Sequence, residues 1–178
     1  QGLILRIYQD LDNLKKKLYI QSKSYDHISE LLAEKERMWA SRPAIQPISN
    51  EELVRIASGF NPARFNPVAK RVMPHKGIDF TASKGTPIYA TGDGVINSAY
   101  RSSSYGNVIF LNHGYGYQTR YAHMSKFNVK KGERVKRGQI IGFVGNTGRS
   151  VSDHLHYEVL FKGTQINPIN FFQRDLSN

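Results

Sequence analysis

VKKGERVKRGQIIGFVG, residues 129–145, decides the reading of the fold. Gly132, Val135, Gly138 and Ile141 set a G-x-x-V-x-x-G-x-x-I rhythm. Glycine admits tight backbone turns. The rhythm therefore predicts short turns that feed a small curved barrel, with apolar residues inward and Lys and Arg outward. β-rich runs at 86–90, 94–100, 107–112, 116–122 and 154–161 lie on either side and a further one, 139–144, lies within it, many bounded by Gly, Asn or Ser. Short strands with frequent turn signals indicate an all-β sandwich or barrel.

Upstream the texture changes. Ile4, Ile7, Leu11, Leu14, Leu18, Tyr25, Ile28, Leu32 and Trp39 recur at spacings of three and four, with Gln21 and Lys35 at two seam positions. That is close to a heptad seam, so residues 1–40 read as a helical arm. The seam suits either an amphipathic helix packed on its own domain or the end of a longer coiled coil. SRPAIQPISN, residues 41–50, carries two prolines and reads as a linker. Ser49 followed by Glu52 suggests a capping box for a short helix at 50–57. The β domain then occupies 58–178.

Composition narrows the function. The 178 residues include no cysteine, which excludes disulfides, zinc ribbons, iron–sulfur clusters and thiol nucleophiles. No apolar run reaches the ~18 residues of a membrane-spanning helix. The chain begins at Gln1 without a signal-peptide pattern, so any targeting or anchoring segment is expected upstream. Net charge is +11. Residues 1–50 hold eight basic and six acidic residues, against seventeen and eight in residues 51–178. Such a domain attracts polyanions, among them nucleic acid, acidic membrane and anionic wall polymer. The basic residues are scattered among turns and the aromatics follow core parity, which argues against nucleic acid.

Three motifs can carry chemistry. In HLHYE, His154, His156 and Glu158 alternate with Leu155, Tyr157 and Val159. A strand puts the first set on one face and the second in a core. Two imidazoles on one face make half a metal site or an acid–base pair. HKGID offers a nitrogen and an oxygen ligand at His75 and Asp79, with Gly77 letting the backbone bend both towards one point. One histidine of the HLH pair would complete an N, O, N set. In RYAHMS, His123 ends a strand in which Tyr117, Thr119, Tyr121 and His123 share parity. It suits a general base or transition-state donor, or a capping or core histidine. His113 falls in the β region without a motif, and His27 reads as a surface residue of the arm.

HKGID, GYGYQTRYAHMS, VKKGERVKRGQIIGFVGNTGRS and HLHYE, in this order, resemble the lysostaphin/LytM-type zinc metallopeptidases, which cut peptide bonds in bacterial peptidoglycan. The resemblance covers about residues 58–170. It implies a mainly β fold, with a compact antiparallel β-sheet core of the duplicated-hybrid-motif kind behind the N-terminal α-helical arm. It implies one Zn²⁺ per chain held by His75, Asp79 and His156, with His123 and His154 as the non-ligand catalytic histidines. From its strand face, Glu158 could orient one imidazole or stand as a surface residue, and Tyr105, Tyr115 and Tyr117, which lie near loops, could line the substrate groove or serve ordinary packing.

The implied substrate is a stem or cross-link peptide of peptidoglycan, of the D-Ala–diaminopimelate type, in the cell envelope and specifically the periplasm. The arm is a place for a protein partner or self-association. Two segments depart from the family pattern: Ser150-Val151-Ser152-Asp153 stands where a small-Thr-Gly-Pro turn is usual, and FNPARFNPVAK (60–70) replaces a glycine-aromatic-arginine segment. Asp153 could raise the basicity of a nearby imidazole or cap a turn. The rivals are a non-catalytic envelope module that binds wall or activates an amidase, and a lipoyl- or biotinyl-carrier-like barrel, which would leave the histidines unexplained.

Overall fold

A computed structural model describes residues 2–66 and 71–172. The chain divides into a helical unit, residues 1–39, and a β unit, residues 40–178. Helix α1 spans Gly2–Ser41, matching the expected arm, and no residue in it is buried. Its apolar seam is exposed from Ile4 to Trp39. No helix among the described residues is long and apolar enough to cross a membrane.

The β unit runs β1 (Arg55–Ser58), β2 (Phe65–Asn66), β3 (Arg71–Val72), β4 (Ile78–Thr81), β5 (Pro87–Tyr89), β6 (Gly94–Ser102), β7 (Gly106–Gly114), β8 (Tyr117–Met124), β9 (Lys126–Phe127), β10 (Arg134–Val135), β11 (Ile140–Phe143), β12 (Leu155–Phe161) and β13 (Thr164–Ile166). An eight-stranded sheet follows the order β1-β4-β12-β8-β7-β6-β10, with β13 paired to β12. Strands β5, β11 and β9 form a second sheet, and β2 and β3 a hairpin. Neighbouring strands pair antiparallel throughout. The large sheet is open, so the expected barrel does not close.

The turn rhythm is realised. Gly132 and Gly138 adopt φ of 85° and 81°, and Val135 and Ile141 are buried. Arg137 departs from the outward pattern. Its Nη2 donates to the carbonyls of Ala40 and Arg42, and its backbone N–H to the Asp93 carboxylate.

One core joins Ile78, Phe80, Tyr121 and Tyr157 of the large sheet to Ile88 and Ile141 of the small one, and to Ile48. Ile48 corrects the linker assignment: it is fully buried, and Ala44 N–H bonds Thr91 O while Pro47 O accepts from Tyr89 N–H. The expected helix at 50–57 is absent. Ser49 does bond Glu52, but only one turn forms before the chain enters β1, which pairs with β4. Val54 and Ile56 are spaced for a strand.

A buried polar chain crosses this core. His113 Nδ1 donates to Asp93 O at 2.8 Å, and its Nε2 lies 2.8 Å from Thr119 Oγ1. Thr119, Tyr121, Thr91 and Tyr157 continue the line by their hydroxyls. Burial presses the His113 pKa down to about 4, against the pull of the Asp93 carbonyl. An unfolded chain takes up that proton near pH 6.5. Between these values the unfolded state binds the extra proton, so stability is lost as pH falls from about 6.5 to 4. The loss is roughly 3 kcal/mol. His113→Gln removes this titration and is expected to flatten the acid limb, read from urea midpoints between pH 7 and 4.

Candidate metal centre

The outer face of the large sheet carries a cluster of ionisable side chains. On β4, Ile78 and Phe80 enter the core and Asp79 points the other way. On β12, Leu155, Tyr157 and Val159 enter the core, leaving His156 and Glu158 opposite. The two strands pair in register with Asp79 directly across from His156. His75 arrives just ahead of β4, fixed by a backbone bridge to Asn61.

Three atoms converge. His156 Nδ1 lies 2.7 Å from Asp79 Oδ1, His75 Nε2 lies 3.1 Å from the same oxygen, and the two nitrogens are 3.2 Å apart. Gly77 is required by close approach: a Cβ there would strike Tyr157 O and come within 2.9 Å of the His156 ring.

The remaining ring nitrogens are engaged outward. His75 Nδ1 donates to Gly59 O at 2.7 Å. His156 Nε2 donates to Glu158 Oε1 at 3.1 Å. Both tautomers therefore present a lone pair to the common point, and two imidazoles plus a carboxylate suit zinc. Burial would raise the Asp79 pKa, but hydrogen bonds from His156 and His75 outweigh it and hold the carboxyl below its usual range. His156 moves up to about 9: burial opposes the charged ring, and Asp79 and Glu158 more than compensate. A metal has to displace that proton, so its binding couples to pH.

Glu158 is 1% exposed. Its Oε1 also accepts from Tyr105 OH at 2.8 Å, and its Oε2 from Arg120 Nη1 at 3.0 Å, straight across the β12–β8 pairing. Burial would raise its pKa, yet the His156 and Tyr105 bonds and the Arg120 charge lower it. Glu158→Gln keeps the shape and loses the charge. Metal affinity is expected to drop about 10- to 100-fold with the fold retained, measured by competition with a chromophoric chelator.

Two further imidazoles border the triangle. Strand alternation alone would send His123 into the core with Tyr121. Instead β8 carries an extra residue between Tyr121 and Met124 relative to β7. His123 takes φ of 62° and lines the cleft. This bulge corrects the expected shared parity. The His123 Nδ1 donates to Thr147 O at 2.7 Å, freeing Nε2. Burial, and then the charges of His154 and His156, press its pKa to about 4, so the ring is neutral at pH 7. His154 lies beside it, ring centroids 4.7 Å apart, with Nε2 3.9 Å from Asp79 Oδ1. Ser152 O and Ser150 Oγ hold its Nδ1, a task that does not fall to Asp153.

Tyr105 lines the same cleft. Tyr115 and Tyr117 do not. They sit at the far end of the β7–β8 hairpin, where Tyr117 packs on Phe161 and Phe171. Tyr117 and His123 lie six positions apart along β8, about 20 Å at strand spacing. Arg120 and Thr147 are supports that residue patterns did not reveal. Arg120 shares strand parity with the HLHYE face only through pairing, and Thr147 acts by its backbone. Residues 67–70 of FNPARFNPVAK lie outside the described residues.

A metal position flanked by two imidazoles with free nitrogens is suited to metal-assisted hydrolysis. The chain belongs to peptidase family M23, whose pattern matches residues 73–168. It is 50% identical over 113 residues to the peptidoglycan DD-endopeptidase ShyA of Vibrio cholerae, covering 64% of this chain and 26% of that protein. It is 44% identical over 116 residues to the DD-carboxypeptidase/endopeptidase Mpg of Neisseria meningitidis, covering 65% and 26%. The chain thus spans about a quarter of the length of these curated relatives.

Among solved structures, a zinc containing peptidase from Vibrio cholerae matches with TM-score 0.69 and 40% identity, over 76% of this chain and 41% of that one. The catalytic domain of lysostaphin from Staphylococcus simulans matches with TM-score 0.60 and 35% identity, over 68% and 92%. The mainly antiparallel β fold behind an N-terminal helix is the one the sequence resemblance implied.

Proposed function

We propose that this domain is a zinc-dependent endopeptidase that hydrolyses peptide bonds in bacterial peptidoglycan. The observation that carries the reading is the convergence of His75, Asp79 and His156 on one point, each ring turned there by an outward hydrogen bond. These three residues would hold the ion. When bound, zinc supplies Lewis acidity, which lowers the pKa of water to about 7 and polarises a carbonyl. His123 offers a neutral Nε2 to the proton of the attacking water. His154, its Nδ1–H fixed on Ser152 O, presents Nε2 to the same space. Together they provide the proton acceptor and the donor that peptide hydrolysis needs.

Two of the relatives are named for action on peptidoglycan or as DD-endopeptidases, which supports the D-Ala–diaminopimelate cross-link as the bond cut. The surplus of cations in residues 51–178 fits an anionic wall. The working place is then the cell envelope, on the periplasmic side. The exposed seam of α1 offers a face for self-association or a partner helix.

Zinc-loaded chain incubated with purified sacculi is expected to release monomeric muropeptides at the expense of cross-linked dimers, seen by mass spectrometry. A chelator stops the release and zinc restores it. Intact dimers after exposure to a chain carrying one zinc would instead identify a non-catalytic envelope module.

A further inference from the structure

Arg64, Lys76 and Arg149 face the cleft that holds the histidines, a space of about 340 Å³. The two carboxylates of that cleft are already engaged. Asp79 lies against His75 and His156. Glu158 is taken up on both oxygens by His156, Tyr105 and Arg120. Among the described residues, Lys76 and Arg149 meet no side-chain partner, and Arg64 meets only the neutral hydroxyl of Ser58, at 3.2 Å. Three cations therefore face one small space with no anion left to them.

Their backbones are fixed, although two of the side chains are exposed. Arg149 N–H bonds Ser104 O at 2.9 Å, and Arg64 O accepts from Met73 N–H at 2.8 Å. Lys76 follows His75, whose N–H and C=O both bond Asn61. The three approach from separate segments: the start of the β2–β3 hairpin, the turn into β4, and the loop ahead of β12. A bound metal would add positive charge beside them.

The geometry points to a carboxylate cradle: Arg64, Lys76 and Arg149 select a peptide that carries a free carboxylate within a side chain's length of the scissile bond. The inference rests on the peptidase reading above and names its substrate class. Arginine grips a carboxylate through two parallel N–H···O bonds and lysine through a point charge. Diaminopimelate in a stem peptide offers such a group, and its carboxamide does not. Polyanion attraction to a basic surface would be indifferent to that single exchange, whereas a cradle is not.

The test uses two synthetic stem tetrapeptides, both C-terminally amidated and identical except for a carboxylate or a carboxamide on diaminopimelate. Calorimetry with the zinc-loaded chain is expected to find the carboxylate peptide bound about 10- to 100-fold more tightly. Arg149→Gln and Lys76→Gln each remove most of that difference and leave the carboxamide peptide unaffected. Equal affinities, no binding of either peptide, or variants that weaken both peptides alike overturn the cradle. Preference without turnover of cross-linked dimers leaves the cradle standing and sinks the peptidase reading. Turnover without preference does the reverse.

Discussion

Asp79→Ala is expected to strip the domain of both metal and activity while leaving its core in place. Asp79 Oδ1 touches both imidazoles of the triangle, at 2.7 and 3.1 Å. Its carboxyl stays ionised because the hydrogen bonds of His156 and His75 outweigh the opposing effect of burial. Without it, two lone-pair nitrogens face each other 3.2 Å apart with nothing anionic between them. In the proposed site, zinc would lose one of three protein ligands and all of the negative charge in the triangle.

Turnover is expected to fall to the uncatalysed background, and zinc to leave on dialysis. The neighbours Ile78 and Phe80, not Asp79, carry this strand's packing. Metal-free variant and metal-free parent are therefore expected to melt within a few degrees of each other. Metal analysis, sacculus digestion and thermal melts check the three parts. A variant that keeps one zinc and full activity would falsify the triangle.

His154→Ala separates metal binding from chemistry. The ring stands outside the triangle, its Nε2 3.9 Å from Asp79 Oδ1. Zinc content is expected to remain at one per chain while turnover drops about 10²- to 10⁴-fold, the usual worth of a positioned acid or base. His123→Ala is expected to behave alike. If the two rings serve one proton transfer sequence, as proposed, the double variant is expected to be little worse than the poorer single one. Either single variant working within threefold of the parent rules out its proton role.

Much of this site is legible in the residues, and the illegible parts have physical reasons. HLHYE reads correctly because a two-residue alternation with three large apolar residues admits one orientation against a core. HKGID yields its pair from short range, but spacing leaves open which HLH histidine joins them. The family resemblance selects His156, 81 positions from His75, and pairing of β4 with β12 is what brings them together. Two prolines made 41–50 read as a linker, although Pro43 and Pro47 are themselves buried. Proline lacks a donor, yet an irregular segment can still seal a core edge. Tyr115 and Tyr117 flank a turn, a position that admits either groove lining or ordinary packing, and Tyr117 takes the packing role on Phe161 and Phe171, at the hairpin end away from His123.

His123 occupies a left-handed backbone state that glycine adopts freely and most side chains avoid, asparagine, aspartate and histidine being the commonest exceptions. Directed evolution for heat tolerance alone would therefore press this position towards glycine, since His123→Gly relieves the torsional penalty, and the hardier domains it yields would lose most of their turnover. A screen that scores survival and turnover together would hold the histidine and find its gains elsewhere.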